Sequence, residues 1–347
     1  MAGAARMTRV LQLMAGAKVG GAESFFERLV CALARTGLPQ AAVIRRHEGR
    51  AARLAEAGLP VHQVRFGGPL DLLSRLQIRA AARRFAPDIV LAWMSRAASM
   101  APHGPWTVVG RLGGYYDLKY YRGCQHLVGN TRGIRDHLVA QGWPSDRAWC
   151  LPNFVDASPQ PAVDRAELDT PADATVVLLA ARLHPNKGID AAIAAMTMLP
   201  AAHLWIAGTG PLEASLRRQA ADAGLAGRVH FLGWRDDLPA LLAASDCLLC
   251  ASRHEPLGNV VLEGWAHDTP VVAASAQGPS ELIENERTGL LVPVDDAKAM
   301  AAAVARIADD PSRAASLAAE GQDAYSSQFS EAAVVARYCE FFEKVAA

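Results

Sequence analysis

Ala251-Ser252-Arg253-His254-Glu255-Pro256-Leu257-Gly258-Asn259-Val260-Val261-Leu262-Glu263 is the stretch that decides how this chain is read. The apolar run Asp246-Cys247-Leu248-Leu249-Cys250 leads into it and reads as a strand. Pro256 ends the loop, and a helix is expected to open near Gly258. A helix N-terminus presents unpaired N–H groups and a partial positive charge, which suits phosphate. Glu255 and Glu263 stand on either side of it, and a carboxylate accepts hydrogen bonds from sugar or ribose hydroxyls. Phosphate in the middle with hydroxyls at both ends fits a nucleotide sugar. The same turn without a ligand is common in α/β proteins.

Outward from this stretch the chain alternates strand and helix. Apolar runs at 9–14, 41–45, 61–64, 88–93, 106–109 and 126–129 predict six strands in the first half, with helices from about Glu23, over 70–86 and over 131–141. A stretch rich in Pro, Ala and Asp, 156–172, reads as a linker. Strands at 175–180, 204–207, 229–231, 246–250, 270–274 and 290–292 follow, with helices near 188–199, 211–223, 235–244, 258–267 and 296–308 between them. Helices over 311–328 and 331–345 close the chain. In the last, Val334, Val335, Tyr338, Phe341, Phe342 and Val345 form one apolar stripe. Repeated β-α-β predicts parallel sheets covered on both faces.

A chain of 347 residues exceeds what one core usually supports, so two domains are expected. Residues 1–158 carry 21 Lys and Arg against 10 Asp and Glu, a formal +11, and the remainder carries an equal negative excess. The basic half is expected to favour an anionic partner such as a membrane surface or a phosphorylated lipid. Nucleic acid fits poorly, because the second half is acidic and basic residues do not interleave with aromatics. There is no signal-peptide core and no membrane-spanning run of about 18 apolar residues. A cytosolic protein, or one peripheral on the cytosolic membrane face, is expected. Cys247 and Cys250 lie three apart on a strand and so face opposite ways, which favours buried thiols over a redox or metal pair.

Three further stretches carry candidate chemistry. Gly16, Gly20 and Gly21 follow the first strand and precede a helix, either to admit a ligand to the backbone or to make a tight turn. Arg182-Leu183-His184-Pro185-Asn186-Lys187-Gly188 follows the first strand of the second half. Its two cations either converge on one diphosphate, where they would stabilise a leaving group, or are surface charges. Arg75, Arg79 and Arg83 recur at four-residue spacing on the helix over 70–86, as a contact with an anionic surface or as a solvated face. No Asp-x-Asp, Gly-x-Ser-x-Gly or four-ligand zinc spacing is present.

In order along the chain stand Gly20-Gly21-Ala22-Glu23, Arg182 through Lys187-Gly188, Gly208-Thr209-Gly210-Pro211, Glu255 and Glu263, Pro270-Val271-Val272, Gly278-Pro279-Ser280-Glu281-Leu282 and Gly289-Leu290-Leu291-Val292-Pro293. This ordered set resembles the retaining glycosyltransferases of family 4, over nearly the whole length. The resemblance implies the GT-B fold: two Rossmann-like, doubly wound α/β domains with a cleft between them. Residues 1–157 would bind the acceptor and 158–329 the nucleotide sugar, with the last helix, 330–347, returning to the first domain. By the same resemblance Arg182 and Lys187 hold the diphosphate, Glu255 the donor sugar hydroxyls and Glu263 the ribose. The N–H groups near Leu257, Gly258 and Asn259 face phosphate or sugar, and Gly20 and Gly21 lie near the donor phosphate. No metal and no cofactor beyond a UDP- or GDP-sugar is implied.

Two departures from the family pattern stand out. The stretch Arg111-Leu112-Gly113-Gly114-Tyr115-Tyr116-Asp117 lacks the acceptor-side His of many relatives, which leaves Arg111, Tyr115 and Asp117 as substitutes. Pro256 and Gly264-Trp265 replace the commoner Gly and Ala-Met and are expected to change the sugar pocket. The function expected is transfer of a hexose to a glycolipid or envelope glycan acceptor, of the lipopolysaccharide-core kind. The alternatives are a related enzyme with a soluble sugar acceptor and a non-catalytic two-domain sugar-binding protein.

Overall fold

The apolar runs become strands of two parallel sheets. The computed structural model describes residues 7–18, 20–68 and 71–346. It divides into two compact units, Met1–Asn153 with Glu331–Ala347, and Phe154–Ser330. Val19 of the first glycine-rich loop and Leu70 at the start of the arginine helix lie outside the described residues.

Among the described residues the first unit has seven strands: β1 (Val10–Met14), β2 (Gln40–Arg45), β3 (Val61–Val64), β4 (Ile89–Trp93), β5 (Thr107–Leu112), β6 (His126–Gly129) and β7 (Ala148–Cys150). They pair in parallel in the order β3-β2-β1-β4-β5-β6-β7. Helices α1 (Gly21–Arg35), α2 (Glu48–Glu56), α3 (Leu72–Phe85), α4 (Met94–Ala98) and α5 (Arg132–Ala140) connect them. β1 is buried at every position. Its one polar residue, Gln12, donates to Gln40 Oε1 at 2.8 Å and accepts from Trp93 Nε1 at 2.9 Å, so no buried amide group is stranded there. β5 runs three residues past the strand expected over 106–109, and this draws Arg111 into the sheet.

The second unit has β8 (Thr175–Ala180), β9 (Ala202–Ala207), β10 (Val229–Gly233), β11 (Cys247–Cys250), β12 (Val271–Ala274) and β13 (Leu290–Val292), ordered β10-β9-β8-β11-β12-β13. Its helices are α6 (Ile189–Met196), α7 (Glu213–Asp222), α8 (Leu238–Ala243), α9 (Asn259–Ala266), α10 (Gln277–Leu282), α11 (Ala297–Ala308) and α12 (Pro311–Gln328). Alternate strand residues feed two cores, one on each face. Val177, Leu179 and Cys247 lie in one core, and Val176, Leu178 and Cys250 in the other. The two thiols therefore point to opposite faces, and burial pushes them up to about 12 and about 11.

The stretch expected to link the domains is instead packed onto the second unit. Arg165 donates to Ala244 O at 2.9 Å and pairs with Asp246, and Thr170 accepts from Trp205 Nε1 at 2.9 Å. The last helix, α13 (Glu331–Val345), belongs to the first unit and buries all six residues of its apolar stripe.

Candidate functional site

In the second unit β8 and β11 are neighbours, but the chain leaves β8 for β9 on one side and leaves β11 for β12 on the other. Open α/β sheets bind ligands at the carboxyl ends of two such strands, where the connections part. The two stretches singled out in the sequence are the loops at that point, 181–188 and 251–258.

They are tied together by their backbones. The N–H groups of Arg253 and His254 donate to Asn186 O at 2.8 and 3.3 Å. Gly188 has φ +61°, and a Cβ there would run into the Ala251 carbonyl, so glycine allows both the turn and the approach. His184 caps the single turn Pro185–Lys187, its Nδ1 accepting from Asn186 N at 3.3 Å. Leu183 is buried, and its N–H donates to Thr209 O at 3.0 Å, which seats the Gly208-Thr209-Gly210-Pro211 turn against this loop.

Side chains then converge. Lys187 Nζ forms an ion pair with Glu255 Oε2, and Ser252 Oγ donates to the same oxygen at 3.3 Å. The Glu255 carbonyl accepts from Gly278 N at 2.8 Å. A side chain at 278 would overlap the Leu257 backbone, which accounts for Gly278-Pro279 in the pattern. Arg182 is exposed and makes no ion pair among the described residues. Gly258, at φ +87°, precedes α9, Asn259 opens that helix and Glu263 lies half-buried one turn along it. The result is one fixed carboxylate and one paired cation between the two loops, with the exposed Arg182 in the loop after β8.

Arg253 is a residue of these loops that the motif reading missed. It donates to Asp190 at 2.9 and 2.6 Å, to Pro185 O at 2.7 Å, and pairs with Asp295 at 2.7 Å. One guanidinium thus pins the loop after β11 to the loop after β8 and to the segment beyond β13. Hydrogen bonding to Arg253 holds the Asp190 carboxyl below its ordinary value, and the Arg253 guanidinium is held above its own.

In the first unit the loop after β1 leads to Gly20 and Gly21 at the start of α1, beside the corresponding parting of β1 and β4. Glu23 is buried and folds back onto this loop, accepting from Ala17 N at 2.7 Å. A Cβ on Gly20 would meet its carboxylate. Buried Arg50, also missed, donates to Ala17 O at 3.3 Å and Lys18 O at 3.4 Å and pairs with Glu27 at 2.7 Å.

Two expectations need correction. Arg111 is 2% exposed. Its Nε donates to Tyr338 Oη at 2.8 Å, its Nη2 donates to Asn153 Oδ1, and Phe25 and Trp93 cover its faces at 4.6 and 4.5 Å. A guanidinium enclosed in this way has no face for an acceptor and instead anchors α13. Gly264-Trp265 does not reshape a sugar pocket either. Trp265 is buried and donates to Thr288 O at 2.7 Å, its ring fills the space left by Gly321 of α12, and a Cβ at 264 would press on Val271 and Leu248. Of the other acceptor-side candidates, Tyr115 is exposed and meets the His137 ring edge-on at 5.1 Å. Asp117 accepts from Lys119 N at 2.8 Å and pairs with Lys119 Nζ at 2.8 Å, which holds its carboxyl below the usual range. Among the described residues no group of three or more His, Cys, Asp and Glu could hold a metal ion, and no helix is long and apolar enough to cross a membrane.

Two Rossmann-like units of this topology make up the GT-B fold. Solved structures carry the same fold. The Anabaena protein HepE in complex with UDP superposes with a TM-score of 0.82 over 97% of this chain and 100% of its own, at 21% identity. A glycosyltransferase from Rickettsia africae gives 0.86 over 98% of each chain, at 17% identity. Residues 19–158 match Glycosyltransferase Family 4 and 174–310 match Glycosyl transferases group 1. The chain belongs to this family. It is 39% identical over 92% of its length to the lipopolysaccharide core biosynthesis glycosyltransferase LpsE of Rhizobium meliloti, covering 95% of that protein. To LpsD of the same organism, of the same description, it is 36% identical over 94% of its length and 95% of the relative's.

Proposed function

We propose that this glycosyltransferase moves a hexose from a UDP- or GDP-sugar to a glycolipid or envelope glycan acceptor, with retention at the anomeric carbon. The observation that carries the donor half is the Lys187–Glu255 pair at the parting of β8 and β11, with Arg182 in the same loop as Lys187. Arg182 and Lys187 meet the diphosphate charge, which leaves a metal no required part. Glu255 takes the sugar hydroxyls, Glu263 the ribose, and the N–H groups from Leu257 to Asn259 the phosphate. For the acceptor, the support is that relatives covered almost end to end, LpsE and LpsD, act in lipopolysaccharide core biosynthesis. HepE, a structural relative, holds UDP. The reaction takes place on the cytosolic side of the membrane.

For retention, the acceptor hydroxyl attacks C1 from the face that the diphosphate leaves. The C1–O bond to phosphate breaks, the new C1–O bond forms, and the hydroxyl proton passes to the departing phosphate oxygen. Arg182 and Lys187 stabilise the charge that develops there. Removing one such preorganised donor costs about 100- to 1000-fold in turnover. The test is transfer from UDP- and GDP-hexoses by wild type and Arg182→Ala, in EDTA, with the product's anomeric configuration read by NMR. A hundredfold loss in the variant and an α-linked product from an α-linked donor support the reading. Unchanged turnover would remove Arg182 from the site, and an inverted product would refute retention.

A further inference from the structure

Helix α3 carries three leucines away from the core. Leu72, Leu73 and Leu76 are 69%, 60% and 66% exposed, whereas the buried side of α3 is formed by Ser74, Ile78, Ala81 and Ala82. Single exposed leucines need no explanation, but three grouped on one turn of a helix do. Next to them, on the same helix, Arg75 and Arg79 line a cavity of about 380 Å³ together with His103, Lys119, Tyr120 and Arg122. Arg83, one turn further on, is not among its lining residues. Four formal positive charges therefore meet in one concavity of the first unit. Asp117 pairs with Lys119, while Arg75, Arg79 and Arg122 make no ion pair among the described residues.

Four like charges against one carboxylate repel, and such a site favours an incoming anion. Guanidinium forks match phosphate oxygens in pairs. Arg75, Arg79 and Arg122, three cations outside any ion pair among the described residues, with Asp117 shared between Lys119 and Arg122, match a phosphomonoester, with about two negative charges and three free oxygens, better than a singly charged phosphodiester. The leucines beside the cavity specify where that phosphate is found. An apolar turn next to an anion site suits the boundary between headgroup and acyl chain.

We infer that the α3 cavity binds the phosphomonoester of a membrane lipid headgroup, with Leu72, Leu73 and Leu76 inserted among the acyl chains. The inference does not depend on the transfer reaction, and its test reads binding alone. The full chain is sedimented with phosphatidylcholine vesicles containing phosphatidic acid, or containing phosphatidylglycerol at matched surface potential. Binding to the phosphatidic acid vesicles is expected to be the tighter. Arg75→Gln/Arg79→Gln/Arg122→Gln is expected to lose on the order of a hundredfold in that binding. Leu72→Ser/Leu73→Ser/Leu76→Ser is expected to lose the vesicles but to keep the thermal shift given by inorganic phosphate, which the arginine variant loses. Equal binding to the two matched vesicles would overturn the phosphomonoester site. Undiminished vesicle binding by the leucine variant would overturn the lipid as its source.

Discussion

Lys187 and Glu255 join the two loops at the strand parting by an ion pair that leaves two of the three ammonium donors for other oxygens. Ser252 braces the same carboxylate, so the pair is oriented from the protein side. Lys187 thus has two tasks, to offset Glu255 and to meet a diphosphate. In Lys187→Ala the half-buried carboxylate loses its cation and repels the nucleotide. UDP or GDP affinity, measured by calorimetry, is expected to fall by more than the loss of one contact would explain. Adding Glu255→Gln is expected to restore part of it, because the nucleoside diphosphate carries no sugar for Glu255 to hold. A double variant that binds no better than Lys187→Ala would mean that the Glu255 charge does not oppose the nucleotide.

Arg253 fixes that arrangement without touching the cluster. Arg253→Lys keeps the charge but cannot span Asp190, Asp295 and the Pro185 carbonyl at once. A loss on the order of 1 kcal/mol of stability is expected, with donor KM raised more than kcat is lowered. The pH behaviour follows from Asp190. Its carboxyl is lowered on folding from the ordinary 3.8, so the anchor is fully present above that value and is lost only as pH falls through the folded one. Wild type and variant should therefore differ in thermal midpoint at neutral pH and converge in acid. A constant difference down to the lowest pH tested would assign the loss to something other than this pair.

These anchors mark the limit of what the sequence shows. Continuous apolar runs such as Thr175–Ala180 and Cys247–Cys250 are visible as strands because both faces are buried. β7 has three residues, too few to show a period. α2 is hidden because one of its two buried residues is Arg50, a charged side chain turned inward to Glu27. α10 contains Gly278-Pro279, a pair that breaks the helical pattern, so no helix is expected there. In the site, the loops declare themselves through local residue types. Arg253 does not, because its partner Asp190 lies 63 residues away and only the fold brings them together. Arg111 misled for the same reason, since Tyr338 lies 227 residues further on.

Arg111→Met keeps the bulk and removes the donors to Tyr338 and Asn153. A buried polar group left unpaired costs about 1–3 kcal/mol, so the first unit should be destabilised by that order. Hydrogen exchange is expected to rise first in α13, whose buried face includes Tyr338. Nucleotide affinity should change little, because the Arg182, Lys187 and Glu255 loops belong to the second unit. Lost acceptor use with unchanged exchange in α13 would return Arg111 to the acceptor side.

His203 on β9 and His230 on β10 stack at 5.3 Å with rings 8° from parallel, and Nδ1 of the first lies 3.0 Å from Nε2 of the second. One N–H between two ring nitrogens requires one of them to accept, so at least one ring is neutral in this contact. Both are held below the ordinary 6.5, chiefly by burial, and for His203 also by its partner. A histidine lowered on folding takes up its proton first in the unfolded chain. Stability is therefore unaffected above 6.5 and falls as pH drops towards the folded values, by at most about 1.4 kcal/mol per pH unit for each ring. The thermal midpoint of the wild type is expected to fall as pH drops below about 6.5. His203→Gln/His230→Gln should flatten that fall but not abolish it, because burial also lowers His126. An equally steep fall in the double variant would place the titrating groups elsewhere.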